Sequence, residues 1–263
     1  MLSLSVLHKA NLILWLGWLL LYSVPSHATI APLDTFKASF YLYYKGLHLG
    51  YGHYDLTHLD QQRYRLAFRS RMSFFWLWDE RSISNEFKFK QGWLYNLSFE
   101  HTRDGTGKPY EKFIQFDAKA KKIYIERNQK KTVIKYMKKI QEPLLAQLQM
   151  RLDMFNQPQQ KTFSYNMIVK DRIKKYTFVY VGEETIELKD GDYLCLKFKV
   201  KGSAPNKATY LWIYPAYAYL TIQAAFIVDG STLWEMQLQE YTPISAKSHS
   251  SSQPLRTSGN IVP

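Results

Sequence analysis

Three histidines stand five residues apart, at His48, His53 and His58, and Asp60 follows the last by two positions. A histidine beside a carboxylate can serve as a general base and the group that orients it. Residues two apart on a strand share a face, so His58 and Asp60 meet the geometric requirement, while His48 and His58 would lie ~33 Å apart on a straight strand and cannot hold one metal ion. The same pair arises in any turn-proximal hydrogen bond. It therefore marks a candidate hydrolase or lyase dyad, with His53 as the other candidate, and nothing firmer. The chain has no His-Glu-x-x-His, no cysteine pair, no Gly-x-Ser-x-Gly and no glycine-rich phosphate loop. The adjacent carboxylates Asp79-Glu80 and Glu183-Glu184 cannot converge on one bond. The lone Cys195 lies between Leu194 and Leu196, reads as a packing residue and has no disulfide partner. The expectation is a protein without catalytic residues, metal or cofactor.

The more pointed polar features concern anions. Arg63, Arg65, Arg69 and Arg71 fall on one face of a strand, with Tyr64, Leu66, Phe68, Ser70 and Met72 on the other. Such a row is either paired across strands, for instance with Glu80 and Glu86, or forms an anion-binding face, since the planar guanidinium suits phosphate and carboxylate. A denser cluster follows between Asp117 and Lys139. Lys119, Lys121, Lys122, Arg127, Lys130, Lys131, Lys135, Lys138 and Lys139 are nine cations against two acids, a net of +7. It reads as a hairpin with Ile123, Ile125 and Val133 at its apolar positions. It either guards a sheet edge or faces an anionic surface. Two aromatic groups complete the candidates. Phe74-Phe75-Trp76-Leu77-Trp78 cannot all point inward from a strand, so some of it, with Trp76 and Trp78 as candidates, lies at an edge, rim or contact surface. Tyr210, Trp212 and Tyr214 sit in the second group, for which core packing and a ligand-facing rim are the two readings.

The elements that must position these residues are largely β. The chain has 7 Trp, 20 Tyr and 15 Phe in 263 residues, which favours pleated, half-buried surfaces. Alternation recurs in Phe36–Tyr44, Arg63–Met72, Tyr193–Lys201 and Tyr210–Tyr214. In Tyr193–Lys201 the apolar set is Leu194, Leu196, Phe198 and Val200. Asp190-Gly191 and Asp229-Gly230 separate alternating runs as hairpin turns do, and Asp104-Gly105 with Gly107 marks another turn. One stretch differs: Leu144, Leu145, Leu148, Leu152 and Phe155 recur at helical spacing after Pro143. The spacing predicts a single amphipathic helix over 143–155, packed on a large curved antiparallel meander or half-open barrel spanning residues 35–242.

The ends are of another kind. Lys9, the apolar run Leu12–Tyr22 and the small residues around Ser26-His27-Ala28 have the form of a secretory signal peptide cut after Ala28. The apolar core is too short for a spanning helix, and no cysteine follows it to carry a lipid anchor. The expected location is outside the cytoplasm, in the periplasm. Residues 243–263 are Ser-rich and read as a disordered tail. Without Lys9 the formal charge of +13 becomes +12, which favours anionic partners. No nucleic-acid recognition motif accompanies the charge, so no specific nucleic-acid partner is expected.

The order of four stretches resembles a family of exported bacterial β proteins, the domain of unknown function numbered 3108. Phe40–Gly50, with Tyr-x-Tyr-Tyr-Lys-Gly-Leu-x-Leu-Gly, looks like its opening strand and turn. Tyr64–Ser70 looks like its second strand. Pro143–Arg151 is similar to its one helix, ending in Arg, and Lys207–Leu220, with Trp212 and Pro215, to its late Trp-then-Pro strand. The resemblance implies a secreted or periplasmic curved antiparallel sheet with little helix; no activity is established for that family, so it carries over no catalytic residues. Taken together, export, charge and aromatic content favour a non-catalytic envelope protein. It would bind or chaperone an amphipathic anionic lipid or glycolipid, with apolar lining and the arginine row or lysine cluster at the headgroup, and with peripheral membrane contact. The alternative is a module that docks by its basic face on another envelope protein or a cell-wall polymer.

Overall fold

Alternation with period two becomes strand throughout. In the computed structural model, which describes residues 31–244 apart from 61, 170 and 202–204, the first eight strands are β1 (Phe36–Tyr44), β2 (Leu47–Asp60), β3 (Arg63–Phe74), β4 (Leu77–Lys90), β5 (Trp93–Gly105), β6 (Tyr110–Asp117), β7 (Lys122–Arg127) and β8 (Lys130–Lys135). The short β9 (Ile140–Gln141) precedes the helix α1 (Pro143–Asn156). Then come β10 (Thr162–Val169), β11 (Arg172–Leu188), β12 (Gly191–Lys201), β13 (Lys207–Tyr214), a 3-10 turn (Pro215–Tyr217), β14 (Leu220–Val228) and β15 (Ser231–Pro243). The expected signal peptide and nearly all of the Ser-rich tail lie outside the described residues.

All fifteen strands form one sheet, in the order β8-β7-β6-β5-β4-β3-β2-β1-β15-β14-β13-β12-β11-β10-β9. The chain starts in the middle of the sheet, meanders to one edge and crosses to the other. It then meanders back until β15 pairs with β1. Every pair is antiparallel except β9 with β10. This order forces curvature. Laid flat, the outermost strands would stand ~65 Å apart at ~4.8 Å per strand. Yet β8 ends at Lys135 and β9 begins at Ile140, and that connection spans at most ~17 Å. The sheet must curl until its edges nearly meet. Phe99, Ile114, Phe116, Ile123 and Ile125 of β5–β7 pack against Ile140 and Ile168 of β9 and β10, which is the seam of that curl.

The curl is not closed by a backbone ladder. Side-chain amides bridge it instead. Asn96 Nδ2 donates to the Ile140 carbonyl at 2.8 Å and to Gln141 Oε1 at 3.2 Å, and Gln141 Nε2 donates to the Leu94 carbonyl at 2.9 Å. Asn85 Nδ2 donates to Asn96 Oδ1 at 3.0 Å. Gln149 of α1 accepts from the Leu94 N–H at 2.9 Å and donates to the Gly92 carbonyl at 3.1 Å. All four amides are buried.

The helix matches its expected span to within a residue but is not one-sided. Leu145, Leu148 and Leu152 pack with Phe36, Phe40, Leu56, Leu66, Phe87 and Leu94 of β1–β5. Ala146, Met150 and Met154 pack on Phe163, Tyr165, Phe178, Phe198 and Leu211 of β10–β13. Phe155, expected in the stripe, is exposed. The sheet wraps α1 from two sides, so a single apolar stripe does not suffice. Arg151 anchors it further: Nε donates to the Ala218 carbonyl at 2.7 Å and Nη2 to that of Tyr217 at 2.9 Å.

Two expected registers differ. Tyr193 and Cys195 are buried with the Phe36 cluster while Leu194 is exposed, because β12 passes between two cores and buries Phe198 on its other face. Val133 is exposed, and Ile134 packs inward in its place.

If the amides hold the curl, Asn96→Leu strands the Ile140 carbonyl and the Gln141 and Asn85 amides, and costs about 1–3 kcal/mol. An exposed control, Arg65→Ala, costs about 0.5 kcal/mol or less. Urea denaturation monitored by tryptophan fluorescence measures both, and equal costs would contradict the amide bridge.

Candidate functional site

Where α1 ends its reach, the inner face of the curl is left without a filler. The side chains there are small or apolar: Leu42, Phe68, Ser70, Met72, Ile83, Ala224, Ala225, Phe226 and Met236 line a cavity of about 360 Å³. Gly52 helps to set its shape, since a Cβ at that position would meet the Phe68 ring at 2.9 Å. A second cavity of about 230 Å³ shares Phe68 and Met236 and reaches Leu144, Gln147 and Arg151 of α1. A third, of about 600 Å³, shares Met72, Arg81 and Trp234 and opens at the rim between Tyr44, Leu47, Phe74, Leu77 and Trp78. Shared walls make the three a run of apolar space from helix to rim.

Charge enters this space from β4 and β5. Arg81 and Arg103 are cross-strand partners on the inner face, an arrangement that is unfavourable unless something opposes it. Asp79 does so. Arg81 Nε donates to Asp79 Oδ1 at 2.7 Å, and Arg103 Nε donates to Oδ2. Burial alone pushes the Asp79 carboxyl up, but the hydrogen bonds and charges of Arg81 and Arg103 outweigh it and hold the group below the usual carboxylate range. Two guanidinium groups against one carboxylate leave a net positive charge in an apolar wall. Arg103 is also fixed by donation from Nη1 to the Lys108 carbonyl at 2.8 Å.

His101 lies two residues deeper along β5, opposite Ile83, with its ring against Tyr110 and Phe99. Burial, aided by the charges of Arg81 and Lys112 and opposed by Asp79, brings its pKa down to about 4. Among the described residues its Nε2 has no hydrogen-bond partner. A second buried polar pair sits at the start of α1. There Lys112 Nζ lies 3.5 Å from Glu142 Oε1, and burial pushes that carboxyl up to about 8 against the pull of Lys112.

The sequence candidates fall elsewhere, with one exception. Trp78 lines the rim cavity. Trp76 stands beyond it at the apex of the β3–β4 hairpin. Arg63, Arg65, Arg69 and Arg71 are on the outer face, across the sheet from the apolar space, so the expected meeting of arginine row and apolar lining at one ligand does not occur. Arg65 Nη2 pairs with Glu86 at 2.7 Å and Arg63 Nε with Asp60 at 3.0 Å. Arg65 and Arg69 border an outer trough of about 680 Å³ with Ser82, Ser84, Glu100 and Tyr124. Lys119, Lys121, Lys122, Lys130 and Lys131 are exposed around the β7–β8 hairpin, at the edge of the sheet. Arg127 there pairs with Asp171 at 2.6 Å. Tyr210, Trp212 and Tyr214 pack with the Phe36 cluster and line none of the four cavities: Trp212 is buried, and Lys197 lies over the rings of Tyr210 and Trp212.

The proposed dyad is broken. An irregularity in β2 between His58 and Asp60 places His58 opposite Tyr64 and Asp60 opposite Arg63. Neighbouring residues of β3 point to opposite faces, so His58 and Asp60 do too. Neither they nor His53 line any of the four cavities. Cys195 is buried, and burial, with a smaller push from Glu184, raises its thiol to about 12.

Asp79, Arg81, Arg103 and His101 were not among the sequence candidates. Their signal is phase. Asp79 and Arg81 alternate in step with Ile83 and Phe87, and His101 and Arg103 with Phe99, so charged groups occupy inward positions of amphipathic strands.

These features define a class: an open antiparallel sheet curled around one helix, with apolar space between helix and rim. The chain belongs to the family described as Protein of unknown function (DUF3108), whose model matches residues 39–233. The structure is similar to the crystal structure of a beta-barrel-like protein of domain of unknown function DUF1849 from Brucella abortus. The TM-score is 0.55 at 11% identity, covering 81% of this chain and 99% of that one. That likeness is one of fold. No curated protein matches.

His101 gives a pH signature. Its folded pKa of about 4 lies below the ordinary 6.5, so the unfolded chain takes up a proton between these values that the folded chain refuses. The stabilisation it provides is complete above about pH 6.5 and is lost as pH falls towards 4. His101→Phe is expected to lose less thermal stability than the parent over that interval, measured as Tm against pH. Parallel curves would contradict this.

Proposed function

We propose that this protein is a non-catalytic carrier or sensor that holds an amphipathic anionic molecule, a lipid or glycolipid, inside the curled sheet. The observation that carries the reading is an apolar cavity whose wall holds two arginines on one carboxylate. An acyl chain suits the lining of Met72, Phe68, Met236 and Phe226. A carboxylate or phosphate suits the surplus charge of Arg81 and Arg103, whose guanidinium groups can make charge-assisted hydrogen bonds to it. The volumes are in the range of small-molecule sites, which are mostly apolar with few polar groups. The leader-like N-terminal sequence and the positive charge support action after export, in the cell envelope.

A second reading rests on the outer trough. Arg65, Arg69 and Lys131 there stand among Glu86, Glu100, short hydroxyl side chains and the exposed rings of Phe113 and Tyr124. Such a surface suits docking of a polar polymer, the interaction module of the alternative.

One experiment separates the two. Delipidated protein is titrated with a fluorescent long-chain fatty acid and with the alcohol of equal chain length. Carriage inside the curl predicts saturable uptake of the acid, weaker uptake of the alcohol, and loss of about ten-fold in affinity in Ala224→Phe, which fills the cavity. Arg81→Met is expected to shrink the preference for acid over alcohol. No uptake, or uptake unaffected by Ala224→Phe but lost on Tyr124→Ala, would favour the outer face instead.

A further inference from the structure

We infer that the aromatic rim is a docking tip for an anionic lipid bilayer, which places the mouth of the cavity at the membrane surface. This rests on the carrier reading and names where its ligand is exchanged.

The observation is the hairpin between β3 and β4. Its two turn residues are Phe75 and Trp76, and they are 82% and 81% exposed. Phe75 holds φ at +54°, a left-handed conformation that is strained for a bulky side chain and that hairpins ordinarily give to glycine or asparagine. A tight hairpin turn needs such a residue, and Lys45, Gln91 and Asp229 supply it in other turns of this chain; this turn instead gives the position to a phenyl ring that touches mainly its neighbours Phe74, at 4.6 Å between centroids, and Trp76, at 6.0 Å. Leu47, Phe74, Leu77, Trp78 and Trp234 extend the exposed apolar surface across the adjoining strand ends. A contiguous patch of this kind on a basic protein marks an interaction site.

Shape and charge favour a bilayer as the occupant. The two rings crown a projecting hairpin rather than line a groove, and Trp and Phe are suited to the zone between headgroups and acyl chains. Exposed lysines flank the tip in the neighbouring turns, Lys45 between β1 and β2 and Lys108 between β5 and β6. The nearby acids are otherwise placed. Asp79 is held by Arg81 and Arg103, and Glu80 lies on the outer face opposite Arg71, with Asp104 opposite Glu80. The same residues that form the patch, Phe74, Leu77 and Trp78, line the cavity mouth. With the tip seated among headgroups, an acyl chain passes between bilayer and cavity without crossing water.

The test is co-sedimentation of the purified protein with vesicles of phosphatidylcholine alone and of phosphatidylcholine with phosphatidylglycerol. The parent is compared with Phe75→Ser/Trp76→Ser and with Lys45→Glu/Lys108→Glu. Docking predicts that the parent sediments with the anionic vesicles and that the aromatic double variant loses at least about ten-fold in partitioning to them. The lysine variant loses its preference for the anionic vesicles. Fatty-acid uptake in the absence of vesicles is expected to be unchanged in the aromatic variant, which also shows that it is folded; because Lys45 borders the cavity mouth, the folding of the lysine variant is checked by circular dichroism instead. A parent that ignores both vesicle types, or a serine variant that sediments like the parent, would overturn the docking. Vesicle binding that persists while no fatty acid is taken up would sustain the docking and overturn the carrier reading.

Discussion

Five residue steps from Lys135 to Ile140 carry the chain from one edge of a fifteen-stranded sheet to the other. That constraint sets the shape of the molecule. Edges tied so closely cannot lie in a flat sheet, yet β9 contributes only two residues and pairs with β10 rather than with β8. The closing job falls to buried amides: Asn96, which also accepts from Asn85, donates to Ile140 and Gln141 of β9, Gln141 donates to the Leu94 carbonyl, and Gln149 of α1 bonds the backbone of Leu94 and Gly92. Buried networks of this kind are costly when half made and rigid when complete. The amides fix the seam on one side of α1, and Arg151 fixes its other side to the carbonyls of Tyr217 and Ala218. The helix is therefore held from two directions and fills only part of the curl. What it leaves unfilled is the apolar space.

Much of the scaffold was legible in sequence because alternation is a local property. β1 and β3 fall on the runs that alternate, the hairpins fall at Asp190-Gly191 and Asp229-Gly230, and Pro143 opens the helix. Two stretches of the family resemblance turn out to be physically joined: the Arg that closes the helix motif grips the turn that begins at Pro215. What was not legible depends on wrapping. A helix enclosed on two sides buries Met150 and Met154 as well as its leucines, and β12, between two cores, hides Cys195 and exposes Leu194. One irregularity in β2 was enough to send His58 and Asp60 to opposite faces, which no spacing rule reveals.

The candidate site shows the same division. The arginine row was the plainest polar pattern, and it sits on the outer face, with Arg63 and Arg65 in ion pairs. The charged groups that meet the cavity are fewer and hidden in phase with apolar neighbours. Asp79, Arg81 and Arg103 break the rule that inward positions are apolar, and a broken local rule is where function is usually found. The aromatic run from Phe74 to Trp78 was conspicuous for a sound reason, since five bulky residues cannot all be buried, and its apex is indeed exposed.

The central claim is that the inner apolar space receives a ligand. Methyl-labelled methionine tests it inside one sample. Met72 and Met236 line the cavity, Met150, Met154 and Met167 lie in a separate core, and Met137 is exposed. On titration with a long-chain fatty acid, the NMR signals of Met72 and Met236 are expected to shift while the other four hold still. Movement confined to Met137 or to the separate core, or no movement at all, would contradict the account.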